Sequence, residues 1–325
     1  MTRNRIDETA AGCFPICPTP FMEDGALDIK SLDRLIDFFL ECGVKGMVAL
    51  GVFGEAAKLS PEEGIQVLQR VLSRIDGRVP TVLGTGNLGL RDLSSIAKTG
   101  MDAGAAGVMI SPASGLRTDE QVYNYTVRQM EALGEDVPVV FQDYPPANNV
   151  YLSVPLILKI FEDFPHVVVF KAEDNPGLGK IARIRRESEE KGIRRVSILG
   201  GTGGFFAPAT LRRGADGLAT GFSYPENLVQ IVELSQRGDF DRAEDLFDVH
   251  LPLICHEQQP GLGICVRKFI MYRRGLLRTP VARQPVPALD HADLGEIDAM
   301  IKRAEDKMRA LGMAQTASKM WIDEA

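Results

Sequence analysis

Lys171 is the residue whose type and position most directly suggest covalent chemistry. It closes the apolar run Val167-Val168-Val169-Phe170 and is followed by Ala172-Glu173-Asp174. A lysine nitrogen attacks a carbonyl only as the free amine, and apolar surroundings favour that form by disfavouring charge. If the run is a strand, Val167, Val169 and Lys171 share one face, with the amine above packed apolar layers. The plain structural alternative is a strand-end lysine that reaches solvent or pairs with Glu173. A second candidate is Gly51-Val52-Phe53-Gly54-Glu55, where two glycines let backbone N–H groups approach a carboxylate closely. It also reads as a tight turn. The third is Phe141-Gln142-Asp143-Tyr144-Pro145-Pro146. Alternation puts Gln142 and Tyr144 on one face, and a phenol beside an imine-forming amine can shuttle protons. The alternative is a packing tyrosine before a Pro-Pro turn.

Two glycine clusters invite nucleotide or phosphate chemistry. Gly84-Thr85-Gly86-Asn87-Leu88-Gly89 fits G-x-G-x-x-G, but no acidic residue ends the next apolar run, Gly107–Ile110, to hold a ribose. It is read as a loop. Gly200-Gly201-Thr202-Gly203-Gly204 stands where many barrels bind phosphate, yet contains no Lys or Arg. His166, His250, His256 and His291 lack metal-ligand spacing, so neither a metal nor a cofactor is expected. Cys13, Cys17, Cys42, Cys255 and Cys265 form no CxxC pair and read as thiols in a reducing cytoplasm.

The elements that must position these groups are legible as a repeat. Eight apolar runs begin at Gly12, Gly46, Val79, Gly107, Val137, Val167, Val196 and Gly217, each followed by a loop and a helix-period segment. Continuous apolarity suits parallel strands covered on both faces, and eight such units predict a (β/α)8 TIM barrel, with an open doubly wound sheet as runner-up. In such a barrel the active groups come from the C-terminal ends of strands. Ser60-Pro61-Glu62-Glu63 and Thr118-Asp119-Glu120-Gln121 predict helix starts with capping boxes. Leu32, Leu35, Ile36, Phe39 and Leu40 form an amphipathic stripe. The barrel is placed at residues 10–238 and a C-terminal helical extension at 239–312, with a tail at 313–325. The extension has helical segments near 239–256, 262–275 and 289–312 and a Pro-containing linker, Thr279–Pro287. It reads as a cap or oligomer surface.

A net charge of -7 leaves no basic footprint for nucleic acid or an anionic membrane. No apolar run approaches the roughly 20 residues that span a bilayer. The start, MTRNRIDETAAG, has no apolar signal-peptide core. A cytoplasmic protein acting on a small molecule is expected.

At these same residues the chain resembles the dihydrodipicolinate synthase / N-acetylneuraminate lyase family of class I aldolases, over about residues 10–300. Pro18-Thr19-Pro20-Phe21 resembles the family's opening TPF, Gly51–Glu55 with Leu59-Ser60-Pro61-Glu62-Glu63 its GTTGE…LSxEE block, and Gly84-Thr85-Gly86 its GtG turn. Phe170-Lys171-Ala172 resembles its iK strand end, and Gly214-Ala215-Asp216-Gly217 its GadG. The resemblance implies that Lys171 forms an imine with a 2-oxo acid such as pyruvate, and that the protein is a homo-oligomer, tetramer or dimer. The implied substrate-binding set is Gly51, Val52, Phe53, Gly54 and Leu218.

The departures fall on the acid–base apparatus. The family's paired threonines are Val52 and Phe53, and its YNxP tyrosine aligns with Gln142. Ser111–Gly115 lacks its paired tyrosines, and Ala147 stands where synthases carry an arginine. Lysine biosynthesis is therefore disfavoured. The expectation is an aldolase- or dehydratase-type lyase in which Tyr144 takes over proton transfer and Gln142 hydrogen-bonds the substrate. A non-catalytic 2-oxo-acid binder and a sugar-phosphate barrel built on Gly200–Gly204 are the competing readings.

Overall fold

The computed structural model of the chain describes residues 4–86, 89–175 and 177–312. The readings placed on Asn87, Leu88 and the tail at 313–325 lie outside the described residues.

The eight apolar runs form strands β1 (Gly12–Pro15), β2 (Met47–Ala49), β3 (Thr81–Gly84), β4 (Gly107–Ile110), β5 (Val139–Asp143), β6 (Val167–Ala172), β7 (Ser197–Gly200) and β8 (Gly217–Thr220). Every residue in them is buried except Ala172 at the end of β6. All neighbouring strands pair in parallel, in the order 1-8-7-6-5-4-3-2. The sheet closes between β1 and β2, where Ile16 bridges Val48 and the Cys17 N–H donates to the Val48 carbonyl at 2.9 Å. Closure removes the edges that an open doubly wound sheet would keep, so the fold is a (β/α)8 TIM barrel.

The outer layer consists of α1 (Ile29–Glu41), α2 (Pro61–Ile75), α3 (Leu90–Asp102), α4 (Asp119–Leu133), a single turn α5 (Pro145–Asn148), α6 (Val154–Asp163), α7 (Leu178–Lys191), α8 (Ala207–Arg212) and α9 (Pro225–Gln236). Leu32, Leu35, Ile36 and Phe39 of α1 are buried, as the stripe predicts, and Leu40 is partly buried. At α2 the capping box is complete. The Glu63 N–H donates to Ser60 Oγ at 3.2 Å, and the Ser60 N–H donates to Glu63 Oε2 at 2.9 Å. At α4 only half of the expected box forms. Thr118 Oγ1 accepts from the Gln121 N–H at 3.2 Å, but Gln121 Oε1 accepts from Arg117, one residue before the cap.

Beyond Gly238 lie α10 (Phe240–Glu257), α11 (Gly263–Arg273) and α12 (His291–Ala310), close to the predicted segments. Helix α10 packs on α9, α8 and α12. The stretch 279–287 is more than a linker. Thr279 Oγ1 donates to the Phe21 carbonyl at 2.5 Å, and Arg283 pairs with Glu63 and bonds the Gly25 carbonyl. It is a strap tied across the C-terminal ends of the strands. Among the described residues no helix is long and apolar enough to cross a membrane.

Candidate active site

A cavity of about 1020 Å³ opens at the C-terminal ends of the strands. Lys171, Gln142 and Tyr144 line it, as do Gly51, Val52 and Phe53. Gly54 and Leu218, also expected to bind substrate, are not among the residues that line it. Gly54 stands behind the wall, its carbonyl accepting from Thr19 Oγ1 at 2.6 Å. Leu218 is buried within the sheet, paired with Cys13 and Gly200; Thr220 and Gly221, farther along the same chain, reach the cavity instead.

Register explains why the central groups converge. Gln142 of β5 is paired with Lys171 of β6, so their side chains leave the sheet on the same side. A bulge between Val139 and Val140 sets this pairing. Two residues beyond Lys171, alternation returns Glu173 to the same face. The Lys171 Nζ lies 3.0 Å from Glu173 Oε2, and both side chains are almost wholly buried. Gln142 Nε2 donates to the same carboxylate oxygen, and the Thr202 N–H donates to Oε1 at 3.0 Å.

This geometry bears on two expectations, and for Lys171 it matches the alternative of a pair with Glu173. The amine is not isolated above apolar layers but ion-paired with Glu173, because strand period places a carboxylate beside it. Gln142 commits its amide nitrogen to that carboxylate rather than leaving it for substrate. Glu173, which the sequence reading treated only as a bland partner of Lys171, stands at the centre of this cluster. The signal was present in the i, i+2 spacing from Lys171.

Tyr144, half-buried, lines the same cavity, and among the described residues its hydroxyl makes no hydrogen bond. Burial pushes its phenol above the ordinary tyrosine range, and the nearby Glu173 carboxylate adds to this while Arg267 opposes it. Asp143 points the other way. Burial raises its carboxyl to about 6, against the opposing pull of Lys180, whose Nζ is 2.7 Å away.

The loop Gly200–Gly204 serves the site differently from the phosphate reading. The Thr202 N–H holds Glu173, the Gly203 N–H donates to Thr220 Oγ1 at 2.7 Å, and the Gly204 N–H donates to the Gly201 carbonyl at 3.0 Å. Its donors already have protein acceptors, so the sugar-phosphate reading loses its anion site. A glycine is needed at 201 because a Cβ there would fall 2.1 Å from Glu173 Oε1.

The loop after β2 has the complementary property. The Glu55 N–H closes a turn onto the Val52 carbonyl at 3.0 Å. The N–H groups of Gly51, Val52, Phe53 and Gly54 have no protein acceptor among the described residues. The Val52 side chain is 70% exposed, whereas Phe53 is buried beneath Arg267, whose guanidinium carbon is 4.5 Å from the ring centroid. Arg267 also donates to Glu257 Oε2 at 2.6 Å, and burial raises the Glu257 carboxyl. Arg267, Glu257 and Gln258 come from the helical extension, and Pro285 and Val286 from the strap. The extension is thus part of the cavity wall, which the helix-only pattern after Gly238 did not reveal. Among the described residues no group of three potential metal ligands occurs.

The model of the dihydrodipicolinate synthetase family matches residues 9–304. The chain belongs to that family. It is a lyase of the dihydrodipicolinate synthetase family, with relatives of more than one activity. It is 28% identical over 304 residues to an L-2-keto-3-deoxyarabonate dehydratase from Azospirillum brasilense, covering 90% of this chain and 94% of that protein. It is 28% identical over 246 residues to a 4-hydroxy-tetrahydrodipicolinate synthase from Methanococcus vannielii, covering 75% and 81%. A crystal structure of dihydrodipicolinate synthase from Rhodopseudomonas palustris superposes with a TM-score of 0.90 at 42% identity, covering 92% of this chain and 99% of that one.

Proposed function

We propose that the protein is a Schiff-base lyase for a 2-oxo acid, and that its reaction is the dehydration of a 2-oxo-3-deoxy sugar acid. The observation that carries this reading is the buried pair of Lys171 and Glu173, 3.0 Å apart on the wall of a large cavity and braced by Gln142 and Thr202. In this reading Glu173 accepts the proton of the Lys171 ammonium. The freed amine adds to the C2 carbonyl, and the same carboxyl returns its proton to the departing hydroxyl of the carbinolamine, leaving an imine. Loss of a C3 proton to Glu173 sends the electron pair into the imine and forms an enamine. Collapse of that enamine expels the C4 hydroxyl, which leaves as water with a proton from Tyr144 or Glu173, and addition of water to the remaining imine breaks the C–N bond, releasing the dehydrated 2-oxo acid and the Lys171 amine. A buried phenol held above its usual range stays neutral and suits the donor role.

Three features favour dehydration over synthase chemistry. The position where synthases carry an arginine is Ala147. The Azospirillum brasilense relative, which the chain matches over 90% of its length, is a dehydratase. The cavity, about 1020 Å³, has room well beyond a three-carbon acid. The carboxylate would sit on the free N–H groups of Gly51, Val52 and Phe53, which line the cavity. A homo-oligomer, dimer or tetramer, belongs to the same reading and is checked by light scattering.

The test is incubation with 2-oxo-3-deoxy pentonic and hexonic acids followed by NMR. Loss of water between C3 and C4 supports the proposal. Release of pyruvate with an aldehyde would make the protein an aldolase. Binding without turnover would return the non-catalytic reading.

A further inference from the structure

Two consecutive residues of α11 hold one loop. Arg267 covers Phe53, and Lys268 is ion-paired with Glu55, neither partner of that pair having any exposed side-chain surface. Lys268 Nζ also donates to the carbonyls of Thr19 at 2.8 Å and Val281 at 2.9 Å. With three acceptors and no exposed surface, this amine has no route to substrate, and its surroundings describe a tether. Glu55 Oε2 in turn accepts from Lys58 Nζ at 2.9 Å and from the Arg283 N–H at 2.9 Å. The junction therefore joins the loop after β1, the loop after β2, α11 and the strap. Glu55 is itself in the left-handed region, φ 53°, a conformation that its buried partners must hold in place.

The loop so tethered is Gly51–Glu55, whose N–H groups before Glu55 have no protein acceptor among the described residues and whose first three residues line the cavity. Amides that are to receive an anion cannot be oriented by bonds of their own, so the flanking side chains must set their direction. We propose that Lys268 is a positioning residue for substrate binding, fixing through Glu55 the amides that take the substrate carboxylate. The helical extension thereby sets the affinity of the barrel for 2-oxo acids. This rests on the reading that 2-oxo acids condense with Lys171.

The experiment compares Lys268→Met and Glu55→Gln with the unaltered chain. Each folded protein is titrated with pyruvate and, separately, with acetone in the presence of borohydride, and the half-saturating concentration for adduct formation at Lys171 is read by mass spectrometry. Acetone offers the same ketone without a carboxylate. Each variant should raise the pyruvate value about tenfold or more, the size of one lost charge-assisted hydrogen bond, and move the acetone value less than about twofold. If Lys268→Met does not fold, the near-isosteric Glu55→Gln gives the same reading. Equal changes for both ketones, or none for either, overturn the proposal. No adduct on the unaltered chain overturns the imine reading first, and this proposal with it.

Discussion

The central device is a pair of side chains two residues apart at the C-terminal end of β6. In the proposed reaction Lys171 supplies the nitrogen, and Glu173 would take the place of the relay tyrosine that the chain lacks at Gln142. If Glu173 moves the proton, Glu173→Gln keeps the shape and removes the base. Turnover should fall by about 10²–10⁴-fold with the fold intact, measured as initial rate beside far-ultraviolet circular dichroism. A loss below about threefold would make Glu173 a spectator. Tyr144→Phe separates the two candidate donors. A drop of about tenfold or more in turnover, with KM nearly unchanged, is expected if the phenol assists departure of the hydroxyl. No change would leave Glu173 as the only acid.

At the scale of elements, the C-terminal strand ends and two loops divide the work. The loop after β7 directs its N–H groups at Glu173 and Thr220, whereas the loop after β2 leaves its N–H groups open. Gly201 shows how closely the first loop is fitted. Gly201→Ala would bring a methyl group against the Glu173 carboxylate, and shifting that carboxylate from Lys171 should cost at least about tenfold in turnover, with little change in thermal midpoint. Retention of full rate would mean that the loop has slack. Much of this level was readable in advance. Continuous apolar runs marked the strands because both faces are covered, and Ser60-Pro61-Glu62-Glu63 marked the start of α2 because its caps are local. Alternation also carried Gln142 and Tyr144 to the cavity. What escaped depends on distant segments. Leu218 lies within β8 while Thr220 and Gly221 line the cavity, and nothing in the period of α11 says that Arg267 and Lys268 will meet a loop more than two hundred residues earlier.

At the scale of the whole molecule, barrel and extension behave as one body with a shared interior. The fold class and the order of the elements were legible, because they follow from repeated local patterns. The role of the extension was not, because it depends on how α10, α11 and the strap are tied back across the barrel. His250 of α10 reports on this packing. It is fully buried, its Nδ1 3.1 Å from the Leu246 carbonyl and its Nε2 facing Asn227 Nδ2, and burial depresses it to about 4. An imidazole depressed in the folded state binds fewer protons there than when unfolded. Its contribution is therefore present above the unfolded value near 6.5 and is lost as pH falls towards 4, a difference on the order of 3 kcal/mol. The free energy of urea unfolding should drop across that window in the natural chain and drop less in His250→Gln. Equal slopes would mean that the imidazole is not held neutral by its burial.

The proposed chemistry begins with a covalent bond between Lys171 and a ketone, and that bond can be weighed. The protein is incubated with pyruvate, reduced with borohydride, digested and analysed by mass spectrometry. A reduced pyruvyl adduct confined to the peptide bearing Lys171, and absent from Lys171→Ala, is the expected result. An unmodified Lys171 across a panel of 2-oxo acids, or an adduct on another lysine that survives Lys171→Ala, would show that the pair with Glu173 does not start the reaction.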